Sequence, residues 1–273
     1  MKGASSMLDI GLHQGSSLHC HTPEVELRLA TMVSQSGPGP ALETLWQMCA
    51  QLRKLGYPVA VLDGTANESD DAPGLQQLLS HAPWGEGSLP GANTQASSLT
   101  VLPALQGLQT LERRALQLQQ PLQALQALFR QYTLVVLYAP VTTLASPLMA
   151  GTTTTPLLVM PPGHSGVVDS YKHLKHLLVH AGMVGTVACV TPHSMAVQRQ
   201  QASEGLQALR QCAERHLGQH IGTTIIHADN PQDLQRLALQ LLEKADTLSA
   251  PAYVSTVVAA PFDSSHRGFF QRH

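Results

Sequence analysis

The sequence predicts an α/β chain built on a single doubly wound, mostly parallel sheet with helices on both faces. Three observations carry this. Short, nearly all-apolar runs such as residues 58–62 and 134–137 have the character of strands covered on both sides. Longer segments between them place leucines at helical spacing. The two kinds alternate along the chain, and strand–helix–strand units with right-handed crossovers build a parallel sheet wrapped on both faces.

The elements follow in order. Residues 1–24 are polar and are expected to form a flexible arm ahead of an α/β domain over 25–246. Residues 27–33 form the first strand. Ser34 to Pro40 is a Gly/Pro turn, after which Leu42, Leu45, Cys49, Leu52 and Leu55 mark a helix that Gly56 ends. Residues 58–62 form the second strand, ending at Asp63. The stretch 64–98 is rich in Gly, Ser, Asn and Asp, with a short helix near 75–79. A strand at 99–102 precedes a glutamine-coated helical region, 105–129, kinked at Pro121; its leucines, 108 to 128, are read as core. Strands are then expected at 134–137, 156–160, 184–190 and 222–227, with helices at 167–181, 199–217 and 231–245. Residues 247–273 are read as an irregular tail.

Composition narrows the function classes. Apolar residues make up 43% of the 273, enough for a sizeable core, while charged residues make up only 12%. With 16 Lys+Arg against 18 Asp+Glu there is no basic footprint for nucleic acid, and the combination of high net charge and low hydrophobicity that marks disorder is absent. Only five of the cations are lysines: Lys2, Lys54, Lys172, Lys175 and Lys244. No run approaches the roughly eighteen apolar residues of a membrane span, and the first fifteen residues lack signal-peptide character. Cys20, Cys49, Cys189 and Cys212 are scattered without metal or redox spacing, which reads as a reduced, cytoplasmic protein.

In a doubly wound sheet, ligands bind at the carboxyl ends of the strands, so the first strand–turn–helix is the place to look. It is glycine-rich and opens a helix, as a phosphate loop does. A working loop has the form G-x-x-x-x-G-K-[ST], whose N–H groups and Lys hold phosphates and whose hydroxyl holds Mg²⁺.

At this point the chain resembles the MinD/ParA-type deviant P-loop ATPases, and among them the FlhG/FleN flagellar-number regulators. Their K-G-G-V-G-K-[ST]-[ST] loop is matched in position by Gln35, Ser36, Gly37, Pro38, Gly39, Pro40, Ala41 and Leu42. Their L-L-D-x-D strand end is matched by Leu62-Asp63-Gly64-Thr65 after Val61, and their V-L-P-A by Val101-Leu102-Pro103-Ala104. Their Y-D-x-V-I-I-D-x-P strand is matched by Tyr132 to Pro140. A later Pro-containing segment ending D-A-Y-x-x-I-K is matched by Asp169-Ser170-Tyr171-Lys172-His173-Leu174-Lys175, and the helix before their last strand by Cys212 to Gly218. The likeness runs from about 27 to 245.

The departures fall on the chemistry. Pro40 stands where the phosphate Lys belongs, Gln35 where the second loop Lys belongs, Ala41 at the Mg²⁺ hydroxyl and Tyr138 at the strand-end Asp. Pro38 and Pro40 each remove an N–H. Asp63 remains, as a leftover ligand or simply a polar residue at the sheet edge, and its partner Asp has become Thr65. Phosphoryl transfer needs positioning and cancellation of negative charge, and little is left here to supply either. The resemblance therefore implies a pseudo-ATPase that binds neither metal nor cofactor, a non-catalytic regulator or scaffold for the placement or number of a surface machine, the flagellum first. The alternatives are an active atypical ATPase of the same family and a partner protein in pilus or cellulose-secretion assembly. Protein partners are implied, with a homodimer as one form, and ATP-driven pairing is disfavoured because Gln35 cannot replace the cross-subunit Lys. Phe269 and Phe270, between Arg267 and Arg272, are the residues for a peripheral contact with the inner membrane, although the segment is short for that role.

Three further patterns are read as structural. His173, His176 and His180 share a helix face without the further ligands a metal centre needs. His19-Cys20-His21 lies in the arm. Gly163-His164-Ser165-Gly166 lacks the final glycine of a hydrolase elbow, Val167 standing there.

Overall fold

The computed structural model describes residues 26–35, 39–80, 99–115, 120–191 and 196–248. The arm and its His19-Cys20-His21, and the tail from 249 with Phe269 and Phe270, lie outside the described residues, as do Ser36, Gly37 and Pro38.

The elements are β1 (Leu27–Val33), α1 (Pro40–Lys54), β2 (Val59–Asp63), α2 (Leu75–Ser80), β3 (Leu99–Pro103), α3 (Leu105–Ala115), α4 (Ala124–Phe129), β4 (Leu134–Ala139), α5 (Val141–Leu144), β5 (Leu157–Met160), α6 (His164–Ala181), β6 (Thr186–Thr191), α7 (Ala196–Leu217), β7 (Gly222–His227), α8 (Pro231–Glu243) and β8 (Asp246–Leu248). The sheet runs β3-β2-β4-β1-β5-β6-β7, with β8 added beside β1. All pairings along that path are parallel, and β8 alone is antiparallel. This is the doubly wound sheet expected from the alternation of elements.

Two cores follow from the two faces of the strands. In β1, Leu27, Leu29 and Val33 face one side, Ala30 and Met32 the other. The first side is covered by α2, α3, α4, α6 and α7, through residues such as Leu75, Leu108, Leu111, Leu125, Phe129, Leu177 and Leu209. The second is covered by α1 and α8, through Leu45, Met48, Leu52, Leu234, Leu237 and Leu241. Each fully buried Leu or Met contributes about 1.5–3 kcal/mol relative to exposure. Leu108, Leu111, Leu122 and Leu125 are core, as read from the spacing. Leu118 lies outside the described residues.

Several boundaries differ from the sequence reading. Helix α6 begins at His164 rather than 167 because Gly163, at φ 108°, makes the turn that starts it, and because Gly166 lets its first turn seat on the Pro161 carbonyl. A short helix, α5, and a 3₁₀ turn at Pro147–Met149 follow β4 where no element was expected; the Ser146 side chain accepts from the Leu148 N–H and caps the turn. The tail read as irregular from 247 starts instead with β8. The reason lies in the sheet: β5 meets β1 only at Met32↔Leu157, leaving the lower half of β1 an open ladder that Leu248, Thr247 and Asp246 fill opposite Leu27, Arg28 and Leu29. Asp246 also accepts from the N–H and hydroxyl of Thr153, at 3.0 and 2.7 Å, anchoring the approach to β5.

Candidate functional site

The carboxyl ends of β1, β2 and β4 come together at the middle of the sheet. Register places Tyr138 of β4 opposite both Met32 and Asp63, and Val33 opposite Ala139. Two backbone bonds of 2.8 Å tie the loops leaving β1 and β2 to β4: Ser34 N–H to the Ala139 carbonyl, and Gly64 N–H to the Tyr138 carbonyl.

The loop after β1 leads to α1. Gly39 is its N-cap, in extended backbone at φ −130° and ψ 167°, with no side chain capping the helix. Pro40 is the first helical residue, and its carbonyl accepts from the Thr44 hydroxyl at 2.6 Å. Ala41 is buried, whereas Leu42 faces solvent. Gln35 reaches across this loop. Its Nε2 donates to the carbonyl of Val159 in β5, and a Cβ built on Gly39 would stand only 2.3 Å from Gln35 Oε1.

Asp63 and Thr65 are brought together and satisfy each other. Asp63 Oδ1 accepts from the Thr65 N–H at 2.9 Å and from its hydroxyl at 2.6 Å. This is a local turn of the kind short polar side chains make with their own backbone. Tyr138 is buried among the α1-side core residues. Burial pushes its phenol above the ordinary value, a backbone hydrogen bond from Gln35 opposes this, and the Asp63 charge adds to it.

A Mg–nucleotide needs cations and N–H groups around its phosphates, and a hydroxyl and a carboxylate around its metal. Gln35, Gly39, Pro40, Ala41, Leu42, Asp63, Thr65 and Tyr138 offer one carboxylate and no cation. The carboxylate is engaged by Thr65, and the mouth of the loop holds the Gln35 amide. These residues do not fit the group.

One residue of this end escaped the sequence reading. Glu68, buried in the loop after β2, accepts from the N–H groups of Gln106 at 2.7 Å, Gly107 at 2.8 Å and Gln76 at 3.2 Å. Its carboxylate thus binds the starts of both α2 and α3, where N–H groups lack helical partners. Glu68 sits 38 and 39 residues before Gln106 and Gly107. At that separation no capping signature is visible in the sequence.

The remaining patterns resolve plainly. The rings of His176 and His180 lie 4.4 Å apart, and burial pushes His173 below its ordinary value, with Asp169 opposing. Among the described residues no group of three or more His, Cys, Asp or Glu could hold a metal. Ser165 lies exposed in the first turn of α6. Cys49, Cys189 and Cys212 are free thiols, the first two buried. No helix among the described residues is long and apolar enough to cross a membrane.

No family model and no curated protein matches the chain. Among solved structures, the chain path is similar to that in a MinC:MinD cell division protein complex from Aquifex aeolicus, at 17% identity and a TM-score of 0.47, covering 76% of this chain and 85% of that one. It is similar to a ParA family ATPase from Chlorobium tepidum TLS at 13% identity and a TM-score of 0.47, covering 79% and 92%. It is also similar to a putative plasmid partition protein from Borrelia burgdorferi B31, solved with AMPPNP, at 10% identity and a TM-score of 0.45, covering 79% and 99%. Likeness at this level concerns the chain path and extends to no property of the site.

Proposed function

We propose that this chain is a degenerate relative of the MinD/ParA-type ATPases, of the FlhG/FleN kind, that has kept the fold and lost hydrolysis. It acts as a non-catalytic regulator or scaffold in the placement or number of a surface machine, the flagellum first, through protein partners. The observation that supports this most is the state of the loop at the head of α1. Gln35 lies across Gly39 where a phosphate cradle would have to be open, and Pro40 and Ala41 follow where a cation and a hydroxyl would be needed. The motifs matched in order from 27 to 245 support the flagellar part of the reading.

Two experiments test it. Purified full-length protein is expected to show no Mg²⁺-dependent ATP turnover above background. Turnover that Asp63→Ala abolishes would establish an active enzyme and end the pseudo-ATPase reading. Deleting the gene is expected to change the number or position of flagella per cell. Unchanged flagella with altered pili or cellulose export would move the assignment to those machines.

A further inference from the structure

We propose that Gln35 is an internal stopper: its carboxamide occupies the place at the head of α1 where a polyphosphate would lie, and ties the loop after β1 to β5. The proposal rests on the reading above that the loop descends from a nucleotide site, and it adds how that site is kept shut.

Gln35 is held at two points. Its side-chain NH₂ donates to the Val159 carbonyl, and its backbone is hydrogen-bonded to the Tyr138 hydroxyl. The remaining side-chain atom, Oε1, is brought against Gly39, the N-cap of α1. That end of a helix carries a partial positive charge, so a neutral amide oxygen there does weakly what an anion would do strongly. The backbone at Gly39 is extended, a conformation any residue adopts, so nothing in its dihedral angles calls for glycine. The requirement comes from Gln35: a Cβ at 39 would meet Oε1 at 2.3 Å, well inside contact distance. Glycine at 39 and glutamine at 35 are therefore one device. Nearby, Asp63 and Thr65 satisfy each other, so neither competes for the Gln35 amide. The excluded ligand class is a polyphosphate, free or as part of a nucleotide.

The test uses the full chain with Gln35→Ala, Gly39→Ala and the double variant, and Gln35→Ser as a second way of removing the amide. Overpacking predicts that Gly39→Ala alone lowers Tm by about 3–8 °C, and that it lowers Tm by less than about 1 °C once Gln35 is Ala or Ser. The second readout is thermal shift with 5 mM pyrophosphate, Mg–ADP or Mg–ATP. Gln35→Ala or Gln35→Ser is expected to gain about 2 °C with at least one of them, and the unaltered chain nothing. A gain with pyrophosphate alone assigns a bare anion site; a gain only with nucleotides shows that base and ribose contacts contribute. Additive Tm changes would overturn the stopper, because Gln35 and Gly39 would then be independent. The absence of any gain on removing Gln35 would overturn it equally, leaving the residue a strut. ATP turnover by the unaltered chain speaks against the parent reading alone, since coupling between positions 35 and 39 is measured separately.

Discussion

Removing the Glu68 carboxylate tests how firmly this end of the sheet is held. The Glu68→Ala variant withdraws the acceptor of three backbone N–H groups, those of Gln76, Gln106 and Gly107, from a site where Glu68 is only 5% exposed. A buried donor left without a partner costs about 1–3 kcal/mol, and bonds to a charged group lie toward the upper end. The three losses share one site and some water enters the space, so they do not sum; a total of about 3–5 kcal/mol is expected. For a domain of this size that lowers Tm by roughly 8–15 °C. Glu68→Gln keeps one carbonyl oxygen but turns an NH₂ toward the other donors, and is expected to cost about half as much. Urea unfolding followed by far-UV circular dichroism, with the m-value unchanged, gives the difference directly. A loss below about 1 kcal/mol for Glu68→Ala, or a Gln variant weaker than the Ala variant, would refute the account of Glu68 as a shared cap.

Three further outcomes follow from the titrating groups. The half-buried His173 has its ionisation lowered by burial, so below about pH 6.5 the unfolded chain takes up the proton first and stability falls; His173→Leu should flatten the stability difference measured between pH 7.5 and 5.5. The Tyr138 phenol is raised, so the stability tied to its neutral form is present below about pH 10 and is lost as pH rises beyond it; Tyr138→Phe should resist alkaline unfolding better than the parent, followed by absorbance at 295 nm and circular dichroism. Burial pushes the Cys49 thiol up to about 12 and that of Cys189 up to about 11, so in a Cys20→Ser background native protein at pH 8 should release one equivalent of thiol, from Cys212, to Ellman's reagent within minutes, and the other two only on denaturation.

The fold was legible because it is written in local period. The apolar runs and leucine spacing place β1, β2, α1, β4 and β7 within a residue or two. What escaped has few residues and non-local causes. Strand β8 is three residues long with one apolar side chain, and exists because β5 leaves half of β1 unpaired. The site was legible by position, since Gln35, Asp63, Thr65 and Tyr138 do converge on the ends of three adjacent strands. Its internal bonding was not. That Gln35 spends its amide on Val159, 124 residues away, and that Glu68 holds two helices, are outcomes of packing with no periodicity to announce them.

The central strand also sets the order of assembly. β1 is the first described strand to leave a ribosome, yet its ladder partners lie in β4, β5 and β8, the last of which pairs Leu27 with Leu248. Its apolar faces must therefore wait through the synthesis of more than a hundred residues before β4 can pair with it, and until almost the end of the described chain for β8. Contacts so distant in sequence close slowly, because the entropy of each loop must be overcome before the contact is made. Folding of this chain should thus be limited by the completion of its oldest strand, and a truncation before Asp246 should slow refolding and leave the lower edge of β1 open to aggregation with other copies.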